Sequence, residues 1–518
     1  MQIITSAAYL SGDLKSEFGL IPPSFLPLQN KRLFVHQFAF VQQNNDAVYL
    51  TIPQSFEIDA CDADVIKAAN VQIIKVPDNL SLSSSILFAI NVVNKPNEQV
   101  LILHGDTLFE HYPTQANTFY VAYAKDNYNW GNVSLHQNHD NSEVYAGLFY
   151  FNNQQALINC LTTHANNFIA AIEWYAASQK INVQLVDKWM DFGHPNTYFR
   201  SKASMTTERV FNNLSIDEFT VNKFSDDILK MKAETNWFVT IPPRLKKYTP
   251  NFITAHTSGN KIGYQLDYLY LNTLSELFVF GQNDPFVWNN IFKSCNTFLH
   301  DCLPILNENV IENTSKSFTN ALLLKTNERL AQFAKQTNID IHTPWVFNAY
   351  SLPSLIDIAS KTAAFISDEG LLGYVHGDFC CSNILFDFRK QMIKVIDPRG
   401  LNFEKNITTH GDIRYDVAKL SHSIIGLYDY IVAGKFALIF DSKNAKMDFN
   451  IHSNKNVAAI QASFLKKTFV GIEVASKQNF AIMIHLFLSM LPLHVDNEKR
   501  QFAFMANAYR LYQHFIQL

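Results

Sequence analysis

The stretch YVHGDFCCSNILFDFRKQMIKVIDPRG, Tyr374 to Gly400, holds three polar residues at the ends of apolar runs: Asp378, Asn383 and Asp397. Asp378 and Asn383 share one tight loop. The run MIKVID reads as the return strand of a β-hairpin, which carries Asp397 back beside Asn383. Oxygen donors of this kind suit a hard divalent cation such as Mg2+, and a further carboxylate can accept a hydroxyl proton. Phosphoryl transfer needs that set: an oriented acceptor hydroxyl, a neutralised phosphate, and both held in line.

The order His376-Gly377-Asp378-x-x-x-x-Asn383 follows the catalytic-loop layout of protein kinases. It departs from them at Gly377, where they carry Arg, and at DPRG, where they carry Asp-Phe-Gly. HGDFCCSNILF followed by VIDPRG resembles instead the aminoglycoside phosphotransferase and choline kinase superfamily, whose members phosphorylate small molecules. The resemblance implies ATP as cofactor, Asp378 as base, Asn383 and Asp397 as magnesium ligands, and Arg399 at the substrate. Lys223 in FTVNKFSD and Glu234 in KMKAETNW could form the Lys–Glu pair that grips the nucleotide phosphates, with Lys230 and Lys232 as close competitors. No convincing glycine-rich loop precedes them. YQLDYLYLNTLSEL, Tyr264 to Leu277, stands where the superfamily places its adenine hinge. In GDIRYDVAKLSH, Asp412 and Asp416 open a helix, where a cap or salt bridge is the expected role. The adjacent Cys380 and Cys381 read as small loop residues.

The front of the chain is different. DAVYLTIP, VQIIKVP and EQVLILHGD are β-branched runs that end on turn or polar residues, and SLSSSILFAINVVN between them has helical spacing. This is the pattern of a parallel sheet with crossover helices, whose ligands sit at the carboxyl ends of the strands. SAAYLSGDLKSEFGLIPPSFLPLQNKRLFVHQ, Ser6 to Gln37, resembles the opening of the nucleotidyltransferases that make NDP-sugars and CDP-alcohols: a first strand ending in Ala7-Ala8, a loop, then Leu-Pro-x-x-x-Lys-x-Leu. The resemblance extends to VLILHGDTLF and VDKWMDFGHPNTYF, and implies Asp106 and Asp191 as metal ligands. It places Ala7, Ala8 and Lys31 at the nucleotide, and Gly147 in VYAGLFYF at the sugar. Two groups depart from the family. The loop lacks the usual glycines and Arg, so Lys15 would substitute; Pro23 stands where a Lys is usual. Lys15, Lys31 and Arg32 would then cover the phosphates.

The chain has 518 residues, 47% of them hydrophobic and 17% charged, with a net charge of −4. That length predicts several domains. No basic run marks a nucleic-acid partner. Six scattered cysteines without Cys-x-x-Cys fit a reducing cytoplasm. MQIITSAAYL lacks the basic and apolar segments of a signal peptide. FAIMIHLFLSMLPLHV, Phe480 to Val495, is too short for a membrane span and reads as a buried helix.

The expected fold is α/β: a Rossmann-like nucleotidyltransferase domain over 1–205, a connector over 206–218, then a bilobal, protein-kinase-like (aminoglycoside phosphotransferase-like) domain with a small lobe over 219–273 and a helical lobe over 274–518. One half makes a phosphate ester and the other consumes one. The expected protein is a bifunctional kinase and nucleotidyltransferase acting on a sugar or amino alcohol and its phosphate. It would use Mg2+, ATP and a second NTP (CTP, UTP or GTP) to make an NDP-sugar or CDP-alcohol of the kind that feeds capsule and other surface polysaccharides. The alternative is a kinase whose N-terminal domain only binds a ligand. Acceptor, nucleobase and oligomeric state are not legible.

Overall fold

The strand at Gln2–Thr5 is hydrogen-bonded in parallel to two neighbours, Val48–Pro53 and Val100–His104, and all three are almost wholly buried. Both faces of these apolar runs are covered, so they carry no polar alternation. This computed structural model describes residues 1–112, 115–124, 126, 128, 143–205, 212–258, 261–305 and 317–518. It divides into two compact units: Met1–Met205 with Phe280–Gln282, and Thr206–Val279 with Asn283–Leu518.

The first unit is built on a seven-stranded sheet. Parallel strands Gln72–Val76, Val48–Pro53, Gln2–Thr5 and Val100–His104 form one side. The antiparallel strand Glu143–Phe151 joins them to Thr118–Tyr123 and Asn182–Leu185. Helices Leu33–Val41, Ala60–Ala68 and Leu82–Val93 occupy the crossovers between the parallel strands, the α/β arrangement the alternating runs imply. The core gathers Ile3, Ile74, Ile86, Ile102, Phe119, Phe149 and Tyr175. One expectation changes: SGDLKSEFG is not a loop. Gly12–Phe18 forms a short helix that buries Leu14 and Phe18 and leaves Lys15 exposed.

The second unit is bilobal. Its small lobe is a four-stranded antiparallel sheet in the order Asn212–Ile216, Thr220–Ser225, Lys261–Asp267, Phe252–Ser258, with the helix Ile228–Thr240 packed on it. The segment read as a connector therefore contains a strand, Asn212–Ile216, whose partner Thr220–Ser225 lies across a short Asp217-based turn; residues 206–211 lie outside the described ones. The large lobe is mainly helical, and its core includes the helices Lys477–Met490 and Glu498–Gln517. FAIMIHLFLSMLPLHV is the buried helix Lys477–Met490 running into a 3-10 turn at Leu491–His494. Among the described residues no helix is long and apolar enough to cross a membrane. The tail is not continuously helical as expected: strands Phe436–Asp441 and Lys446–Ile451 form a hairpin, extended by Trp345–Phe347 and Tyr350–Leu352. Asp441 closes that hairpin by accepting hydrogen bonds from the backbone of Lys443 and Asn444, a local turn that outweighs the helical texture around it.

Candidate active sites

In the second unit, strands Ile384–Asp387 and Met392–Val395 pair antiparallel, with Ile384 opposite Val395. One residue beyond, the Ile396 N–H donates to the Asn383 carbonyl at 3.0 Å. This hairpin places Asn383, in the 3-10 turn Cys381–Asn383, beside the segment carrying Asp397. Asp397 lies two residues past the strand end, at φ +56°. The Asn383 Nδ2 donates to both the carbonyl and Oδ2 of Asp378, each at 3.0 Å. Its carbonyl Oδ1 therefore faces the other way, with Ser382 Oγ at 3.4 Å.

His376 ties the two loops together. Its ring bonds the Ile396 carbonyl through Nε2 at 2.9 Å and receives the Asp378 N–H at Nδ1, at 3.3 Å. Burial lowers its pKa to about 4, against the pull of Asp378, so it stays neutral with the proton on Nε2. Gly377 has φ +77°, and an added Cβ would stand 2.8 Å from the Arg399 Cβ, so a larger residue is excluded there. Asp416, fully buried, accepts the N–H groups of His376 at 2.6 Å and Gly377 at 2.8 Å. Asp412 caps the helix Ile413–Ile424 and grips the Arg414 guanidinium through both oxygens. Cys380 and Cys381 are buried, and burial pushes both thiols well up.

The structure brings Lys223 and Glu234 together: Nζ lies 2.7 Å from Glu234 Oε2 and 3.1 Å from Asp397 Oδ1. Burial would discharge the ammonium, but Asp397 and Glu234 together hold its pKa above the ordinary lysine value. The Tyr264 hydroxyl donates to the same Glu234 oxygen at 2.7 Å. Lys230 is half exposed and 3.8 Å from the other oxygen. The sequence reading missed Lys419, whose Nζ lies 2.8 Å from Asp378 Oδ1. Burial would raise the Asp378 pKa, but the charge and hydrogen bond of Lys419 bring it down to about 2. The spacing Asp416-x-x-Lys419 on one helix was the available signal, since residues three apart share a face. Arg399 lines a small cavity beside Gly377, together with Tyr415, Phe403 and Phe318.

In the first unit, Thr5 and His104 end adjacent parallel strands in register. Gly105 follows, its N–H bonded to the Thr5 carbonyl at 2.9 Å. Any Cβ there would stand 2.6 Å from that oxygen. Ser6 and Ser24 are joined at 3.0 Å, and Ser24 Oγ donates to the Gly105 carbonyl at 3.1 Å. Ala7, half-buried, and Ala8, exposed, follow Ser6. The short ladder between Thr107–Phe109 and Trp189–Asp191 sets Thr107 opposite Asp191 and so brings Asp106 next to Asp191. The two carboxylates face each other across Gly193, where a Cβ would lie 2.5 Å from Asp106 Oδ2 and 3.4 Å from Asp191 Oδ1. His194 Nδ1 lies 3.0 Å from Asp191 Oδ2, which also accepts from the Thr197 hydroxyl. Burial first, then the charge of Asp191, raises the Asp106 pKa to about 6.

The phosphate-covering groups fare differently. Lys15 and Lys31 are both exposed. Arg32 is buried and committed to structure, with Nε 2.8 Å from Asp62 Oδ2 and one terminal N–H on the Phe25 carbonyl at 2.8 Å. Gly147 is at φ +83°, and a Cβ there would stand 3.0 Å from Thr107 Oγ1 and 3.1 Å from the His104 ring.

Both acidic sets consist of oxygen donors, the chemistry Mg2+ selects. Asn383 Oδ1 with Asp397, and Asp106 with Asp191, fit it. Among the described residues no group of three or more His, Cys, Asp or Glu side chains is arranged to hold a metal. A cation at either pair would complete its shell with water and phosphate oxygen, as Mg2+ commonly does.

No protein-family model matches the chain, and no curated protein matches it significantly. Solved structures do. A Bacillus anthracis protein assigned as a glucose-1-phosphate thymidylyltransferase, in complex with a sucrose, matches at 11% identity and TM-score 0.33, over 39% of this chain and 94% of that one. The inositol-1-phosphate CTP transferase of T. maritima matches at 13% identity and TM-score 0.29, over 38% and 89%. The aminoglycoside phosphotransferase APH(4)-Ia matches at 12% identity and TM-score 0.37, over 62% and 96%.

Proposed function

We propose that the chain is a bifunctional enzyme: an ATP-dependent kinase of a small hydroxyl compound in its second unit, and a nucleotidyltransferase in its first. The observation that carries the reading is the convergence of Asp378, Asn383, Asp397, Lys223 and Glu234 on one site. Asp378 orients the acceptor hydroxyl and takes its proton. The freed oxygen bonds to the γ-phosphorus of ATP, the bond to the bridging oxygen breaks, and ADP leaves. Lys223, fixed by Glu234, holds the nucleotide phosphates. Mg2+ on Asn383 and Asp397 would supply charge neutralisation for the transferred group.

In the first unit, Asp106 and Asp191 would hold Mg2+ while a phosphate oxygen of the second substrate attacks the α-phosphorus of an NTP and pyrophosphate leaves. The product would be an NDP-sugar or CDP-alcohol for surface polysaccharide in the cytoplasm. A second reading, a kinase whose first unit only binds a ligand, is favoured by one observation: Arg32 is held by Asp62 and the Phe25 carbonyl, away from the phosphates it was expected to cover. Nucleotide turnover separates the two. The purified protein is given ATP, CTP, UTP and GTP with Mg2+, a pool of hydroxyl compounds, and their phosphates. ADP lost only in Asp378→Ala, with pyrophosphate lost only in Asp106→Ala, is the expected result. ADP without pyrophosphate under every NTP leaves the second reading, and no ADP with any acceptor overturns the kinase.

A further inference from the structure

The cavity beside Gly377 is walled by Phe318, Phe403 and Tyr415, with Arg399 on one side. The Arg399 guanidinium lies over the Phe403 ring, 5.4 Å from its centroid, and one N–H reaches the Tyr415 hydroxyl at 3.4 Å. A second cation converges on the same rings: Lys325 Nζ is 5.1 Å from the Phe403 centroid and 5.9 Å from that of Tyr415. Among the described residues neither Lys325 nor Arg399 meets a carboxylate within ion-pair distance, whereas the neighbouring charges are accounted for. Lys419 is held by Asp378. Asp412, on the cavity wall, is matched by Arg414 at 2.5 Å. Glu404 stands exposed at the rim.

Among the described residues, then, Arg399 on the cavity wall and Lys325 behind the same rings have the Tyr415 hydroxyl and aromatic faces near them but no carboxylate within ion-pair distance, and buried cations so placed cost free energy unless something compensates them. They also repel a cationic guest. Burial, opposed by Tyr415 and joined by the charges of Arg399 and Lys419, lowers the Lys325 pKa to about 8, the direction expected of a cation lacking its counter-ion.

We propose that the acceptor of the second unit is an anion, a small molecule carrying a carboxylate or phosphate a few atoms from the hydroxyl to be phosphorylated, received by Lys325 and Arg399. The assignment rests on the kinase reading for the hydroxyl and on the cavity alone for the anion. It narrows the sugar or amino alcohol expected from sequence to an acidic sugar, a hydroxy acid or a sugar phosphate. The aromatic walls would take the carbon frame of such a molecule.

The test uses matched probes on one scaffold: glucose, glucosamine, glucuronate and glucose 6-phosphate, with glycerol, ethanolamine, glycerate and glycerol phosphate as a shorter series. Binding is measured calorimetrically on the full chain, and ADP release with ATP and Mg2+ is followed in parallel. Wild type, Lys325→Gln and Arg399→Lys are compared, the last keeping the charge in case the Gln variant folds poorly. The expected result is binding of at least one anionic probe in preference to its neutral and cationic counterparts. Lys325→Gln weakens it roughly tenfold to a hundredfold, the scale of one charge-assisted hydrogen bond, and weakens the neutral probes far less. Carboxylate and phosphate arms decide which anion it is. ADP release with neutral or cationic probes in preference to anions overturns the inference and leaves the kinase standing. Anion binding that depends on Lys325 without ADP release keeps the anion site and overturns the kinase. Failure of wild type to bind any anionic probe overturns the inference outright.

Discussion

Two aspartates with the same side chain sit at opposite ends of the carboxyl range. Lys419 brings Asp378 to about 2 despite burial, while burial and Asp191 push Asp106 up to about 6. The low value keeps Asp378 ionised at neutral pH, so the carboxylate is ready both to orient the acceptor hydroxyl and to take its proton, as proposed. Asp378→Asn should reduce ADP formation by roughly 10²–10⁴-fold. Asp106 gives a pH prediction whose sign follows from linkage. Its unfolded pKa is near 3.9, below its folded value, so without metal its contribution to stability is fully present below about pH 4. That contribution is lost as pH rises through about 6. A divalent cation replaces the proton, so its affinity weakens by about a factor of ten for each pH unit below about 6. Thermal melts with and without MgCl2 should show the larger cation-induced rise at about pH 7.5 and little rise at about pH 5. Asp106→Asn should remove the difference. An equal rise at both values in wild type would refute the paired-carboxylate site.

At the scale of elements, what was legible was what lies close in sequence. Asp378, Asn383 and Asp397 fall on one loop and one hairpin, so spacing alone brings them together. Lys223 and Glu234 are a strand and a helix apart, and the strand-then-helix pattern sufficed. Lys325 was not legible, because Tyr415 and Phe403, whose rings it meets, lie far along the chain from it. Arg32 misled for the same reason: its partner Asp62 is thirty positions along, on another helix. The hairpin at Phe436–Ile451 was hidden within helical texture because one Asp-based turn decides it. Glycines show the same limit. The role of Gly193 is set by two carboxylates far apart in sequence, Asp106 in a turn and Asp191 at a strand end, and its substitution is diagnostic. Gly193→Ala drives a methyl to 2.5 Å from Asp106 Oδ2, a contact that only movement of the carboxylate can relieve. The variant should keep its fold, with less than about 1 kcal/mol lost because the site is at the sheet end rather than in the core. It should lose Mg2+ binding and pyrophosphate release while ADP formation continues. A Gly193→Ala enzyme with unchanged pyrophosphate release would show that the two carboxylates need not meet.

At the scale of the whole molecule, every residue of the acidic pair lies in Met1–Met205 and every residue of the kinase set in Thr206–Val279 or Asn283–Leu518. No side chain is shared, and each unit has its own buried core. A ligand that binds the native state of one unit stabilises that unit by RT ln(1 + [L]/Kd), about 2.7 kcal/mol at one hundred times Kd. Scanning calorimetry of the full chain should therefore resolve two transitions, each answering to a different ligand. A non-hydrolysable ATP analogue with Mg2+ should raise the transition of the second unit, and Asp397→Ala should abolish that rise by removing both a proposed magnesium ligand and the carboxylate on Lys223. The same analogue should leave the other transition in place, and Asp106→Ala should not alter its effect. If the two transitions instead rise together with ATP analogue alone, the units unfold as one cooperative body. The two chemistries would then be coupled through stability rather than carried side by side.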